Sequence, residues 1–89
     1  MPQSFNKDPD AVLDFAINWE VWLSDDIITA STWIVPSGIT KDSDTFHDFL
    51  TVIWLSGGTA GETYTLVNHI VTDESRTEDR SIFVTVKGM

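Results

Sequence analysis

The chain is divided into short apolar runs, each about as long as a β-strand and each closed by turn-forming residues. The most continuous apolar run, residues 49–55, is followed by the glycine pair Gly57 and Gly58. Glycine accepts the positive φ values that tight turns require. The other runs alternate at a period of two or are rich in β-branched and aromatic residues, and they span residues 11–19, 27–35, 64–72 and 81–86.

These runs predict an all-β fold, an immunoglobulin-like antiparallel β-sandwich of about seven short strands. Residues 49–55 predict a central strand, whereas the polar residues 40–45 predict a loop or a short edge strand. Residues 64–72 and 81–86 predict a C-terminal hairpin joined by the charged residues 73–80. No long amphipathic helical pattern competes with this interpretation.

The first run is compatible with two local structures. Its apolar residues at positions 13, 15, 17 and 19 alternate, which predicts a strand. Trp19 and Trp22 are three residues apart, with Leu23 next to them, and this spacing also fits one side of a helical turn. Both alternatives stay open on the sequence alone.

A length of 89 residues allows one hydrophobic core, because a division would leave halves too small to bury apolar surface. We therefore predict a single sandwich domain over residues 1–89, with an extended N-terminal arm at about residues 1–10. The chain has no Cys, so its folding depends on packing and backbone hydrogen bonds rather than on disulfides or Cys-based zinc sites. This composition suits a protein made in a reducing cytoplasm.

Acidic residues dominate the charge: 14 Asp and Glu stand against 5 Lys and Arg, for a formal net charge of −9. Such a charge repels nucleic-acid phosphates and anionic lipids, so neither nucleic acid nor membrane is a predicted partner. The apolar runs are far shorter than the ~20 residues of a membrane-spanning helix, and the N-terminus lacks the pattern of a signal peptide. Solubility alone also explains the charge, since charged surfaces keep sheet edges from pairing.

The most specific local feature is a turn that contains Gly61 and is followed by Tyr64 and Leu66. Immunoglobulin-type sandwiches place a Tyr at this corner so that its hydroxyl bonds to the backbone, and the residue two positions later lies in the core. The alternative is an ordinary Tyr at the start of a strand. We predict that Tyr64 forms the corner and that Leu66 takes the core position where antibody domains have Cys.

Residues that could carry chemistry are few. His47 and His69 lie in different predicted elements, and neither is next to a nucleophile, so no catalytic residue is predicted. Acidic pairs such as Asp25 and Asp26 lack the spacing and the glycine of an EF-hand loop, and Gly57 is not followed by the Lys of a phosphate-binding loop. We predict no enzyme activity, no cofactor and no metal site.

Four tryptophans in a chain of this size permit a carbohydrate-binding interpretation, because flat aromatic faces stack on sugar rings. The alternative is structural, and it is the one we predict for Trp19, Trp33 and Trp54 as core residues of the sandwich. Trp22 lies in a loop-like segment and is predicted to be nearest the surface, where it is a possible contact to a partner.

The order of these motifs resembles a family of small structural proteins of tailed bacteriophages, the fiber-tail adaptor proteins. The resemblance extends from about Lys7 to Val86. Its motifs are Asp-Pro-Asp at residues 8–10 within residues 7–15, Trp19, Trp22, residues 26–28, Trp33, Ser-Gly-Gly-Thr-Ala-Gly at residues 56–61, Tyr64, and residues 76 and 80–82. One departure is Ser75, because related sequences have Gly before the Arg of the last hairpin, and this leaves the turn type open.

The resemblance implies a non-enzymatic virion structural protein that joins the tail or baseplate to a fiber. Its partners would be other phage structural proteins, and its copy number would follow the symmetry of the virion, after synthesis in the host bacterial cytoplasm. The family has no catalytic residues to transfer to this chain. Two alternatives stay open, a capsid decoration (cement) protein and a carbohydrate-binding module that uses Trp22.

Overall fold

The computed structural model describes residues 3–88, and in this part of the chain it shows seven strands and one helical turn. Five of these strands follow the short apolar runs of the sequence, and the helical turn lies between the first two runs. The elements are β1 (Gln3–Lys7), β2 (Leu13–Asn18), α1 (Glu20–Leu23), β3 (Ile28–Ile34), β4 (Ile39–Phe46), β5 (Leu50–Gly57), β6 (Thr63–Thr72) and β7 (Thr77–Val86).

The strands form two sheets that pack face to face. The four-stranded sheet has the order β1-β7-β6-β3, and the three-stranded sheet has the order β2-β5-β4. Neighbouring strands are antiparallel except for β1 and β7, which are parallel. This confirms the prediction of an all-β immunoglobulin-like sandwich, in which β6 and β7 pair as the C-terminal hairpin and β5 is the central strand of its sheet.

Strand β1 occupies part of the segment that was expected to be an N-terminal arm. Residues Gln3–Lys7 pair with β7, and the side chain of Lys7 is buried, with Nζ donating to the Gly57 carbonyl at 2.7 Å and to the Asp8 carbonyl at 2.9 Å. The pairing with β7 is made by backbone groups, which every residue type has. The strand therefore forms although its sequence shows no apolar alternation. Met1 and Pro2 of the expected arm lie outside the described residues.

Both local structures considered for the first run occur, one after the other. Strand β2 ends at Asn18, and α1 begins directly after Trp19, whose carbonyl accepts the N–H of Leu23 at 2.9 Å. The N–H of Trp19 donates to the Phe49 carbonyl at 2.8 Å, which ties this junction to β5. The alternation therefore predicts the strand correctly, and the spacing of Trp19 and Trp22 predicts the turn.

The connection of the last hairpin is shorter than the charged segment 73–80 indicates. Its connection covers residues 73–76, and the charged residues 77–80 already belong to β7. Ser75 has a φ of 64°, in the left-handed region that glycine adopts most readily. The turn therefore has the backbone that a Gly-Arg sequence favours, although this chain has Ser there.

A buried polar network joins the two sheets within the core. Asn68 of β6 is fully buried, and its Oδ1 accepts hydrogen bonds from Trp19 Nε1 at 3.1 Å and from Thr51 Oγ1 at 2.7 Å. Its Nδ2 donates to Ser31 Oγ at 2.9 Å and to the Thr32 carbonyl at 3.1 Å. Because every donor and acceptor of this amide is used, its burial carries little desolvation penalty and fixes the relative position of the sheets.

Candidate functional site

The four tryptophans have different surroundings, and one of them is not where the sequence predicts. Trp19 is 0% exposed and Trp33 is 6% exposed, as expected for core residues. Trp54 is 40% exposed, so its assignment to the core is wrong. The reason is strand parity: Ile53 and Leu55 point into the core, and the residue between them must point to the opposite face.

Trp22 is less accessible than predicted. Its ring packs edge-on against Trp19 at a centroid distance of 5.7 Å, and the guanidinium of Arg76 lies 4.5 Å above its centroid. It is half-buried and packs against the core. Trp54 rather than Trp22 is therefore the tryptophan with the most open surface, and the one polar residue of the 49–55 run, Thr51, is itself buried and gives no signal of this.

Trp54 lies at one end of an apolar patch on the outer side of the three-stranded sheet. Along β5, Leu50, Val52 and Trp54 alternate with the buried residues, and Ala16 of β2 is paired directly with Val52. Leu50 and Val52 are half-buried, whereas Ala16 and Trp54 are exposed. We call these four residues the Trp54 face. A sheet face that is apolar on its solvent side is typical of a binding surface rather than of a fold requirement.

Carboxylates flank the Trp54 face on both neighbouring strands. Asp14 of β2 is directly opposite Trp54, and Ser43 is its partner in β4. Asp42 reaches the same side of the sheet, where its Oδ1 accepts the hydroxyl of Ser56 at 2.9 Å. The arrangement is an exposed aromatic side chain with carboxylates beside it, which suits a partner surface that has an apolar pocket and basic residues around it.

The corner residue Tyr64 has the contact that defines a tyrosine corner. Its hydroxyl accepts a hydrogen bond from the backbone N–H of Thr59 at 2.9 Å, and Leu66, two residues later, is fully buried. Gly58 has a φ of 98°, and a Cβ there would lie 2.6 Å from Val86 Cγ2. Glycine at this position therefore lets the turn close over the end of the core.

Arg76 and Asp26 connect α1 to the last hairpin. Arg76 Nε donates to Asp26 Oδ2 at 3.1 Å, and its Nη2 donates to the Leu23 carbonyl at 2.9 Å. Burial alone would raise the pKa of Asp26, but hydrogen bonds from the Thr72 hydroxyl, from backbone N–H groups and from Arg76 hold the pKa below its ordinary value. An open depression beside this pair is lined by Leu23, Ser24, Asp25, Glu74 and Arg76, and Nε and Nη2 of Arg76 are engaged in the structural bonds just described.

The histidines do not form a pocket with acidic groups. His69 bonds through Nδ1 to Asp79, its cross-strand neighbour, on the flat outer side of the four-stranded sheet, and both side chains are largely exposed. His47 is exposed in the β4–β5 connection. Among residues 3–88 no cluster of three or more His, Asp and Glu side chains is arranged to hold a metal ion. No helix in the same range is long and apolar enough to cross a membrane.

The fold has a structural relative of known type. The solution structure of the PKD domain from the KIAA 1837 protein is similar to this chain with a TM-score of 0.58 and 14% sequence identity, over 98% of this chain and 80% of that one. At this identity the likeness concerns the fold alone. Among curated proteins no match was found.

The class defined by these features is an immunoglobulin-like domain with an exposed aromatic face and no assembled catalytic group among the described residues. Residues 7–85 match the family described as podophage GP4 fiber-tail adaptor protein gp77. The chain belongs to this family, which covers nearly its whole length. The family name indicates a structural role in a phage, and together with the fold it indicates a structural rather than a catalytic protein.

Proposed function

We propose that this protein is a non-enzymatic virion component that joins the phage tail or baseplate to a fiber, and that it is present in several copies set by the symmetry of the particle. The family match over residues 7–85 is the observation that carries this proposal. Partners would be other tail or fiber proteins, with neither nucleic acid nor membrane among them. Synthesis in the host cytoplasm is consistent with the absence of Cys.

The Trp54 face supports the proposal as one docking surface. Tryptophan is among the residues that contribute most to protein interfaces, especially where surrounding groups exclude water. Leu50 and Val52 extend the apolar area along β5, and the acidic border would select a partner with basic residues. Trp22 has no comparable role, because Arg76 covers its ring.

The test is the incorporation of variants into virions that are assembled without the wild-type copy. Trp54→Ala should bind its partner at least about 30-fold more weakly, which corresponds to about 2 kcal/mol for an interface tryptophan. Val21→Ala is the matched control, because Val21 is a 96% exposed apolar residue on α1. Normal incorporation of both variants would remove the Trp54 face from the proposal.

The position of the protein in the particle separates the adaptor from a decoration protein. Because the chain has no Cys, a single introduced thiol can be labelled with gold at one site. Labels at the junction of tail and fiber support the adaptor role, and labels distributed over the head would contradict it. Absence of the protein from purified virions would contradict every structural role proposed here.

A further inference from the structure

Strand β3 is an open edge of the four-stranded sheet. It pairs with β6 on one side, and the structure shows no strand on its other side among residues 3–88. The open side begins just after Ile28, whose N–H donates to the Asp48 carbonyl at 2.8 Å. From Thr29 to the end of the strand, backbone groups on this side are available to pair with another chain.

This edge lacks two of the features that keep sheet edges from pairing, charged side chains and proline, and its register shift is confined to the start of the strand, between Ile28 and Ala30. Residues 27–40 contain no charged side chain, although the chain as a whole is 21% charged, and no proline lies within β3. Charged residues, prolines and irregular registers are the usual means by which an edge strand avoids pairing with other chains. In this respect β3 differs from the rest of a strongly acidic surface.

The other edge strands in the described part of the chain carry such features. Strand β2 contains Asp14, and β4 contains Lys41, Asp42 and Asp44 together with a register shift between residues 41 and 43. Strand β1 is the shortest and leads directly into Asp8, Pro9 and Asp10. Charged side chains thus protect β2 and β4 where they face solvent, and β3 has neither a charge nor a register shift from Ala30 to Ile34.

The core holds β3 in a fixed position, which makes it a preformed template. Trp33 and Ile28 are buried, and Ser31 Oγ accepts a hydrogen bond from the buried amide of Asn68. On the outer side, Thr32 is exposed and Ile34 is 62% exposed. An added strand would find its backbone partners already ordered and an apolar side chain available for contact, so little conformational entropy would be lost on this side of the interface.

We propose that the β3 edge binds an extended segment of a partner virion protein as an additional strand of the four-stranded sheet. The proposal rests on the adaptor function, since it names the way in which one of the adaptor's partners docks. The segment should be free of acidic residues, with basic residues favoured by the net charge of −9 and an apolar residue placed beside Ile34. Its affinity would come mainly from backbone hydrogen bonds.

A second copy of this chain is a poorer occupant of the same edge. Two copies that pair through β3 would bring together two domains that each carry a net charge of −9. Like charges at close range oppose association, whereas a neutral or basic segment meets no such cost. The charge distribution therefore favours a different protein over self-association.

The experiment compares Thr32→Lys with Thr65→Lys. Both positions are exposed on the outer side of the four-stranded sheet, but Thr32 is on the open edge strand, whereas Thr65 is on β6, paired with Phe83 of β7 and beyond the end of β3. A Lys on an edge strand blocks pairing. We expect Thr32→Lys to be incorporated into virions at least about tenfold less than Thr65→Lys, with equal thermal unfolding of the two purified variants.

Amide hydrogen exchange of wild-type protein provides a second measurement that does not depend on a variant. Exchange in residues 29–34 should slow by about tenfold or more in assembled virions relative to the free protein, because added backbone bonds protect these amides. Exchange in β2, whose edge carries Asp14, is the internal reference.

The outcomes separate the inference from the adaptor function. If the protein is in virions and both Lys variants are incorporated normally, with unchanged exchange in β3, the inference is wrong and the adaptor function stands. If the protein is absent from virions, the adaptor function fails and the inference fails with it. If the free protein is a dimer whose Thr32→Cys variant forms an intermolecular disulfide, a second copy occupies the edge and the assignment to a partner protein is overturned.

Discussion

The two faces of strand β5 are both apolar, but only one of them is needed for the fold. On the inner face, Thr51, Ile53 and Leu55 are fully buried between the sheets. On the outer face, Leu50, Val52 and Trp54 are partly or largely exposed. In an antiparallel sheet with one solvated side, the outer face is usually polar. The apolar outer face of β5 is therefore better explained by binding than by stability.

This comparison predicts that neighbouring residues of β5 respond differently to truncation. Ile53→Ala should lower the free energy of unfolding by about 2–5 kcal/mol, because it leaves a cavity between the sheets. Trp54→Ala should lower it by only about 1 kcal/mol, because the ring lies on the solvent side of the sheet and its removal leaves no cavity in the core. Denaturant titration of both variants measures the difference. Equal losses would show that the two faces contribute alike to stability and would end the argument for the Trp54 face.

The inner face also contains the polar network, and its loss should be the next largest effect. Asn68→Leu removes the acceptor of Trp19 Nε1 and Thr51 Oγ1, so we expect a loss of about 1–3 kcal/mol in the free energy of unfolding. Asn6→Leu, an exposed position on β1, is the control and should change stability by less than about 0.5 kcal/mol. A neutral Asn68→Leu would mean that packing alone holds the sheets together.

The pH dependence of the free energy of unfolding should distinguish the buried carboxylate of Asp26 from the carboxylates that border the Trp54 face. Asp26 has a pKa held below its ordinary value, so its contribution to stability is present at neutral pH and is lost as the pH falls through that pKa. Asp26→Asn should therefore be less stable than wild type above about pH 4, and the difference should shrink in more acidic solution. Unfolding curves between about pH 3 and pH 7, a range that contains the usual carboxyl pKa values, measure this convergence.

The same titration of Asp14→Asn tests the border of the Trp54 face. Asp14 is exposed and paired across the sheet with Trp54, so its replacement should not reduce the stability of the fold at neutral pH. A loss as large as that of Asp26→Asn would contradict the view that the outer carboxylates serve binding rather than folding.

The smallest expected effect lies outside both faces of β5. Ser75→Gly relieves a φ of 64°, but the more flexible Gly also loses more entropy on folding. The net gain in the free energy of unfolding should be below about 1 kcal/mol, with no change in incorporation into virions. Thermal unfolding detects the change, and a destabilised variant would show that the Ser side chain has a role of its own in the turn.

The sequence predicted the strands where alternation or β-branched composition was strong. The runs that became β2, β3, β5, β6 and β7 were all assigned as strands, and Tyr64 and Leu66 were assigned to the corner that they occupy. Strand β1 was not predicted, because Gln3–Lys7 contains only one apolar residue, Phe5. The next residue on the same side of the strand is Lys7, which is polar. Burial of the Lys7 ammonium is possible because the carbonyl of Gly57, 50 positions away, accepts a hydrogen bond from it.

The candidate site was harder to predict than the fold. The sequence indicated that exposed aromatic residues would be used for binding, but it named Trp22, whose ring Arg76 covers. That cation–π contact joins residues far apart in the chain, and no local pattern predicts it. The open edge at β3 likewise depends on the order of strands in the sheet, which periodicity does not specify.

By itself the sequence determined that this chain is a β-sandwich with one core, because strand-length apolar runs separated by turns, without Cys, allow few other folds. It also carried the family motifs, which span most of the chain. Only the tertiary structure decided which side of each strand is buried and which edge is free. In residues 49–55 the one polar residue, Thr51, lies on the buried face and none marks the outer side, so Trp54 could be placed only when the second sheet covered Ile53 and left Trp54 in solvent.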